Sequence, residues 1–282
     1  MTKVIVQPAD GIEPLLDAIR NAKRSIEIII YRFDRLEIEQ ALIEAVERGL
    51  KVHALVSFIN RGDEAKELRK TIGRLKAGGV TISETAADYW RYHYKMLIID
   101  RRLLFLTTFN FTFLDIHHSR AFGIVTDDKP MLADAIALFE ADSQKKTYAP
   151  EQERLIISPF NSRARLLAFI HGAEEQLLIY DEKLSDAQII RLLRRHAASG
   201  VDVKIIGHVD VRAKELQLRK LPQLEHHAQV IIRDRKAAFL GSQSLRRPEL
   251  DSRREAGLVV ADAVAVRDLM TIFELDWGDV IS

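Results

Sequence analysis

Two hydrophobic periods alternate along the chain. Leu36, Ile38, Ala41, Leu42, Ala45 and Val46 recur at helical spacing, which predicts a helix over Leu36 to Arg48 with one apolar face. Met96 to Ile99 is an unbroken apolar run of strand length, the pattern of a strand covered on both faces. The same reading gives a strand at Val4 to Gln7, a helix at Glu13 to Ala22, a strand at Ser25 to Phe33 and a strand at Val52 to Ser57. The order then returns: strand Leu155 to Ser158, helix Ser162 to Ala173, strand Gln176 to Tyr180, helix Asp186 to Ala198, strand Val203 to Ile206. Gly49 and Gly200 follow the second helix of each set, where a left-handed residue is favoured. Alternation of this kind predicts a layered α/β fold.

The recurrence is a true internal repeat. Pro8, Ile19, Ala22, Gly49 and Val52 return as Pro159, Ile170, Ala173, Gly200 and Val203 at one constant offset. Two domains are expected, 1–148 and 149–282, joined through a polar, proline-bearing junction near Asp142 to Glu153. Later elements match as well: strands Ala121 to Thr126 and Glu255 to Ala261, then helices Pro130 to Ala141 and Ala263 to Leu275. The first half has an additional stretch within Arg61 to Trp90. It reads as a helix (Glu64 to Leu75), a Gly78-Gly79 turn and a short strand (Val80 to Ile82). The ring-rich Asp88-Tyr89-Trp90-Arg91-Tyr92 follows, either a pocket wall or packing beside the strand.

Composition narrows the class. At 282 residues and formal net charge +1, the chain is long enough for two cores. It has no cysteine, which excludes disulfides and thiolate metal sites and fits a reducing compartment. Met1 to Val6 lacks the apolar region of a signal peptide, and no apolar run approaches the ~20 residues needed to span a bilayer. A soluble, cytoplasmic protein is expected. Basic residues gather in two places: Arg91, Lys95, Arg101, Arg102 and Arg120, and then Arg233, Arg235, Lys236, Arg246, Arg247, Arg253 and Arg254. Such a rim would attract an anionic substrate.

Candidate chemistry lies between these clusters. In His93-Tyr94-Lys95-Met96-Leu97-Ile98-Ile99-Asp100, read as one strand, His93 and Lys95 point to the same side. A neighbouring strand from Leu103 to Phe109 would bring Thr108 and Asn110 beside them. A neutral imidazole can attack phosphorus, and an ammonium, a hydroxyl and a carboxamide can offset the charge of a phosphodiester. The frame occurs twice. His93, Asp100, Asn110 and Gly123 correspond to His227, Asp234, Ser244 and Gly257 at a second constant offset.

The doubled H-x-K-x4-D-x6-G-S-x-N pattern resembles the phospholipase D superfamily, in its two-motif, cardiolipin-synthase-like form. The first copy has Thr107-Thr108 where the family has Gly-Ser. The second keeps His227, Asp234, Gly241 and Ser242, but has Gln229 for the lysine and Ser244 for the asparagine, a degenerate motif. The resemblance implies two similar α/β/α sandwich domains related by a pseudo-two-fold, with the active site at their interface. It implies a phosphodiesterase or phosphatidyltransferase working through a phosphohistidine, with neither metal nor organic cofactor. One histidine attacks phosphorus and the other serves as acid and base. Family members also carry a carboxylate downstream of each motif, which in several serves the histidine of the opposite copy. Glu255 stands at that place in the second half and Ala121 in the first. On this resemblance Glu255 supports His93, the nucleophile, and His227 lacks a partner. Thr108, Gln229, Ser242 and Ser244 are expected to bind phosphate, and Asp100 and Asp234 to be structural. The substrate is an anionic phosphodiester, a phospholipid head group or a nucleic-acid backbone. A nuclease and a non-catalytic phosphate-binding module are the alternatives.

Overall fold

In the computed structural model the described residues are 1–57, 63–210, 214–221 and 223–278, without the side chains of 63–65. Arg61, where the additional stretch was expected to begin, lies outside them. The first half runs β1 (Thr2–Gln7), α1 (Glu13–Asn21), β2 (Ser25–Ile30), α2 (Leu36–Glu47), β3 (Lys51–Val56), α3 (Asp63–Ala77), β4 (Thr81–Glu84), β5 (Lys95–Ile99), β6 (Leu103–Thr107), α4 (Phe113–His117), β7 (Ser119–Thr126) and α5 (Lys129–Ser143). The second runs β8 (Ile156–Ser158), α6 (Ser162–His171), β9 (Gln176–Leu184), α7 (Ala187–Ala198), β10 (Asp202–Val209), β11 (Gln217–Arg219), β12 (Glu225–His226), β13 (Gln229–Arg233), β14 (Ala237–Gly241), α8 (Arg247–Asp251), β15 (Glu255–Val260) and α9 (Ala263–Trp277).

Each half forms a mixed sheet with its motif strand in the middle. The first sheet is ordered β1-β7-β6-β5-β2-β3-β4 and the second β11-β10-β9-β13-β14-β15-β8. β12 leaves its own half and pairs with β7 of the other sheet, Glu225 opposite Ser119 and His226 opposite Arg120. One core per half lies on the outer face of its sheet, beneath α1–α3 in the first and α6–α8 in the second. A third core is shared: Leu138 and Phe139 of α5 and Leu269 and Phe273 of α9 pack with residues from both sheets, among them Met96, Ile98, Leu106, Val230 and Leu240. The inner faces of the two halves therefore close on one another.

The repeat extends to backbone detail. Gly49 and Gly200 adopt φ of +87° and +95° at the helix ends, a region open to glycine at little cost. Asp100 and Asp234 each sit at positive φ in the turn ending their motif strand, at 56° and 52°. Asp100 accepts hydrogen bonds from the N–H groups of Lys23, Arg24 and Ser25, and Asp234 from those of Glu174, Glu175 and Gln176. Burial alone would raise both carboxyls, but these backbone donors outweigh it and hold both below the usual value. A lowered folded value means full stabilisation above the unfolded pKa, lost as the pH falls through the folded one. Asp100→Ala and Asp234→Ala should each cost roughly 2–3 kcal/mol at pH 7, since three donors lose a charged acceptor. Urea titrations should show that deficit shrinking below about pH 4.

Two differences from the sequence reading bear on the site. Asp142 and Ser143 belong to α5 rather than to the junction, and Asp142 is buried in an ion pair with Arg254. The motif strand begins at Lys95, so His93 stands just ahead of it. Its position is fixed from the other half, because the His93 N–H donates to the Arg254 carbonyl at 2.8 Å.

Candidate active site

β5 and β15 start side by side, one from each half, and the isolated bridge between Tyr92 and Arg254 joins their leading residues. This places Glu255 against His93: Nδ1 lies 3.1 Å from both carboxylate oxygens. Lys95, the first residue of β5, turns its Nζ onto the same ring, 3.0 Å from Nε2 and 3.2 Å from Nδ1. Tyr31, in the loop after β2, meets the imidazole edge-on at a centroid distance of 4.7 Å. Lys95 and Glu255 are buried, whereas the His93 side chain keeps 18% of its surface exposed.

His227 lies near enough for its charge to depress the His93 imidazole, and its own side chain is partly exposed. Its N–H donates to the Arg120 carbonyl at 3.1 Å, the counterpart of the His93–Arg254 bond. The expectation that His227 lacks a carboxylate is corrected here: its Nε2 lies 3.6 Å from Asp115 Oδ2. Asp115 is held on the short α4, whose N-cap Thr112 accepts from the Asp115 N–H. It also accepts from the Asn110 backbone N–H at 2.6 Å and from Asn110 Nδ2 at 2.8 Å. The sequence carried a signal for it, since Asp115 and Glu249 are both acidic at the motif offset. Glu249 instead pairs with Arg246 and Arg253.

Several of the other expected site residues are already engaged within the fold. Thr108 Oγ1 accepts from the Phe122 N–H, and Ser242 Oγ from the Ala256 N–H, so the two hydroxyls tie matched strands together. Ser244 donates to Asp181, a buried carboxyl pushed up to about 6 by burial against that bond and the Leu245 N–H. Asn110 Oδ1 is buried without a hydrogen-bond partner. Gln229 opens β13 as Lys95 opens β5. The expected basic rim is largely spent inside the fold: Arg120 pairs with Asp276, Arg254 with Asp142, and Arg246 and Arg253 with Glu249. Arg101 and Arg233 lie at the far ends of their strands, against Glu27 and Phe169. The ring-rich segment is divided between roles. Tyr92 and Tyr89 pack inward, while Trp90 is 67% exposed with the Arg253 guanidinium 4.9 Å from its ring centre.

The electrostatics suit a nucleophile. Burial, then the charges of Lys95, His227, Arg253 and Arg91, hold His93 well below its ordinary value, so its ring is neutral near pH 7. Burial also lowers His227, against the pull of Asp115 and with Lys95. Glu255 is pushed up to about 7 by burial, opposed by Lys95, the Ser242 hydroxyl and Arg253. Lys95 is brought down to about 7 by burial, opposed by Glu255 and Asp115. Among the described residues, no group of three or more His, Cys, Asp or Glu side chains is arranged to hold a metal ion.

The sequence model of the family described as "Cardiolipin synthase, PLD-like domain" matches residues 15–143 and 166–277. A polyphosphate kinase of Prosthecochloris aestuarii is 26% identical over 307 aligned positions, covering 96% of this chain and 42% of its own length. The crystal structure of a polyphosphate kinase from Porphyromonas gingivalis superposes with a TM-score of 0.81 at 20% identity, over 98% of this chain and 50% of that one. A phosphatidylserine synthase from Haemophilus influenzae superposes at 0.71 with 10% identity, over 99% of this chain and 85% of that one. At such identities the two superpositions show shared fold. The chain spans half or less of the polyphosphate kinases named here. No helix among the described residues is long and apolar enough to cross a membrane.

Proposed function

We propose, from the premise that the chain belongs to the PLD-like domain family of cardiolipin synthase, that it moves a phosphate-bearing group through a covalent phosphohistidine on His93. The observation that carries this reading is what bears on one ring: Glu255 on Nδ1, Lys95 beside Nε2, and His227 close enough for its charge to act on it. The Nε2 lone pair of neutral His93 attacks phosphorus, and the bond from phosphorus to the leaving oxygen breaks. His227, in the protonated fraction that the Asp115 charge favours against burial, gives its proton to that oxygen. Water or an alcohol then loses a proton to His227 and attacks, and the P–N bond breaks. Glu255 holds the Nδ1–H and stabilises the positive imidazole, and the Lys95 ammonium offsets charge on the phosphorus oxygens.

A phosphodiester is the first substrate class, as the doubled motif implies. A second reading, a phosphoanhydride chain, is favoured by the near-complete coverage of this chain in its alignment with a polyphosphate kinase. Incubation with bis(4-nitrophenyl) phosphate and, separately, with inorganic polyphosphate distinguishes them by which one labels His93. Labelling by neither would leave a phosphate-binding module.

Anion binding alone gives a further expectation. Lys95, at about 7, is mostly neutral at pH 8, and a bound oxyanion restores its charge. Tungstate should therefore bind with uptake of up to about one proton at pH 8, seen as a heat that varies with the buffer's ionisation enthalpy. Lys95→Met should remove most of that uptake. A buffer-independent heat in the unaltered protein would take Lys95 out of the site.

A further inference from the structure

Two ion pairs beside the site, Arg254–Asp142 buried and Arg120–Asp276 partly buried, share one design. Arg254 donates to Asp142 through Nη2 at 2.7 Å and through Nε at 3.1 and 3.2 Å, with Tyr94 Oη donating to the same carboxylate at 2.7 Å. Arg120 donates to Asp276 through Nε at 2.7 Å and Nη2 at 3.0 Å, with Tyr180 Oη donating at 2.6 Å. Each pair joins an arginine of one half to the last turns of the inner helix of the other, α5 or α9. Arg120 and Arg254 correspond at the motif offset, and so do Asp142 and Asp276.

The carbonyl of each arginine receives the N–H of the histidine from the opposite half, Arg254 from His93 and Arg120 from His227. Arg254 also immediately precedes Glu255, so whatever fixes its backbone fixes both partners of the 3.1 Å contact. Buried ion pairs of this kind contribute little net stability over apolar residues of similar volume. A bidentate guanidinium does fix direction, because its donors and the carboxylate are both planar.

We propose that Arg254–Asp142 and Arg120–Asp276 are positioning pairs, the first setting the nucleophile His93 and the second the acid His227. This rests on the phosphohistidine reading above. The two pairs then have separable effects. Displacing His93 slows attack on any leaving group, whereas displacing His227 slows attack only where the leaving oxygen needs a proton. A misplacement of about 1 Å can cost roughly 10²-fold.

The test replaces each pair by apolar residues, Arg254→Met with Asp142→Leu, and Arg120→Met with Asp276→Leu, with folding checked by circular dichroism and urea titration. The rate of His93 adduct formation is measured on bis(4-nitrophenyl) phosphate, with a good leaving group, and on methyl phenyl phosphate, with a poorer one. The first variant should be slower by about 10–100-fold on both, leaving the ratio of the two rates unchanged. The second should raise that ratio about tenfold or more. Wild-type rates in both folded variants, or the same change of ratio in both, would overturn the proposal. Should either double variant fail to fold, Arg254→Lys and Arg120→Lys keep the charge, lose the bidentate geometry and decide by the same ratios. Absence of an adduct in the unaltered protein would instead end the phosphohistidine reading, and this proposal with it.

Discussion

His93→Ala should form no covalent adduct and lose turnover by roughly 10⁴-fold or more, while His227→Ala should still label His93 when the leaving group is good. The asymmetry comes from what each histidine touches. His93 has Glu255 on one nitrogen and Lys95 3.0 Å from the other. Its neutral form is favoured by burial and by the cations around it, so the attacking lone pair is available near pH 7. His227 has Asp115 at 3.6 Å and no lysine of its own, since Gln229 occupies the matching place. The work proposed for it is proton transfer, worth typically ~10²–10⁴-fold with a poor leaving group and far less with nitrophenolate. Rapid acid quench followed by peptide mass spectrometry locates the adduct. An adduct on His227, or turnover surviving in His93→Ala, would reverse the assignment.

What made the two-half fold legible was its repetition. A constant offset in Pro, Gly and apolar positions is a property of sequence alone, and hydrophobic period separated helices from strands in both copies. The contact between Glu255 and His93 was reached through the resemblance, because residues so far apart meet only once two sheets close on a shared core. The parts that stayed hidden depend on packing between the halves. Asp142, in a polar stretch of the junction type, is buried because Arg254 of the other half reaches it. The arginine clusters read as a rim that would attract an anionic substrate for the same reason. No sequence pattern shows that Arg120 faces Asp276 or that Arg253 faces Glu249. Asp115 escaped notice because the carboxylate for His227 was sought at Ala121, on the strand, whereas α4 delivers one from the preceding turn.

The second large effect concerns Glu255. Glu255→Gln should slow adduct formation by roughly 10²–10⁴-fold, the scale seen when the acid orienting a catalytic imidazole becomes neutral. The amide can still meet Nδ1, but it cannot stabilise the positive ring that forms as Nε2 bonds to phosphorus. The pH dependence adds a sharper signature. Glu255 acts when ionised and Lys95 when protonated, and each is moved by burial to about 7 from opposite sides. Adduct formation should therefore fall toward acid as Glu255 takes up its proton, and toward base as Lys95 loses its own, giving a bell centred near pH 7. The two groups face each other's charge, so the limbs belong to the pair rather than to either residue. In Glu255→Gln the acid limb should vanish, leaving a low rate that declines only toward base. In Lys95→Met the basic limb of Lys95 should vanish. Stopped-flow release of nitrophenolate from about pH 5 to about pH 9, roughly two units either side of the expected centre, resolves both limbs. An acid limb that persists unchanged in Glu255→Gln would assign that titration to another group and remove Glu255 from the charge balance of the first step.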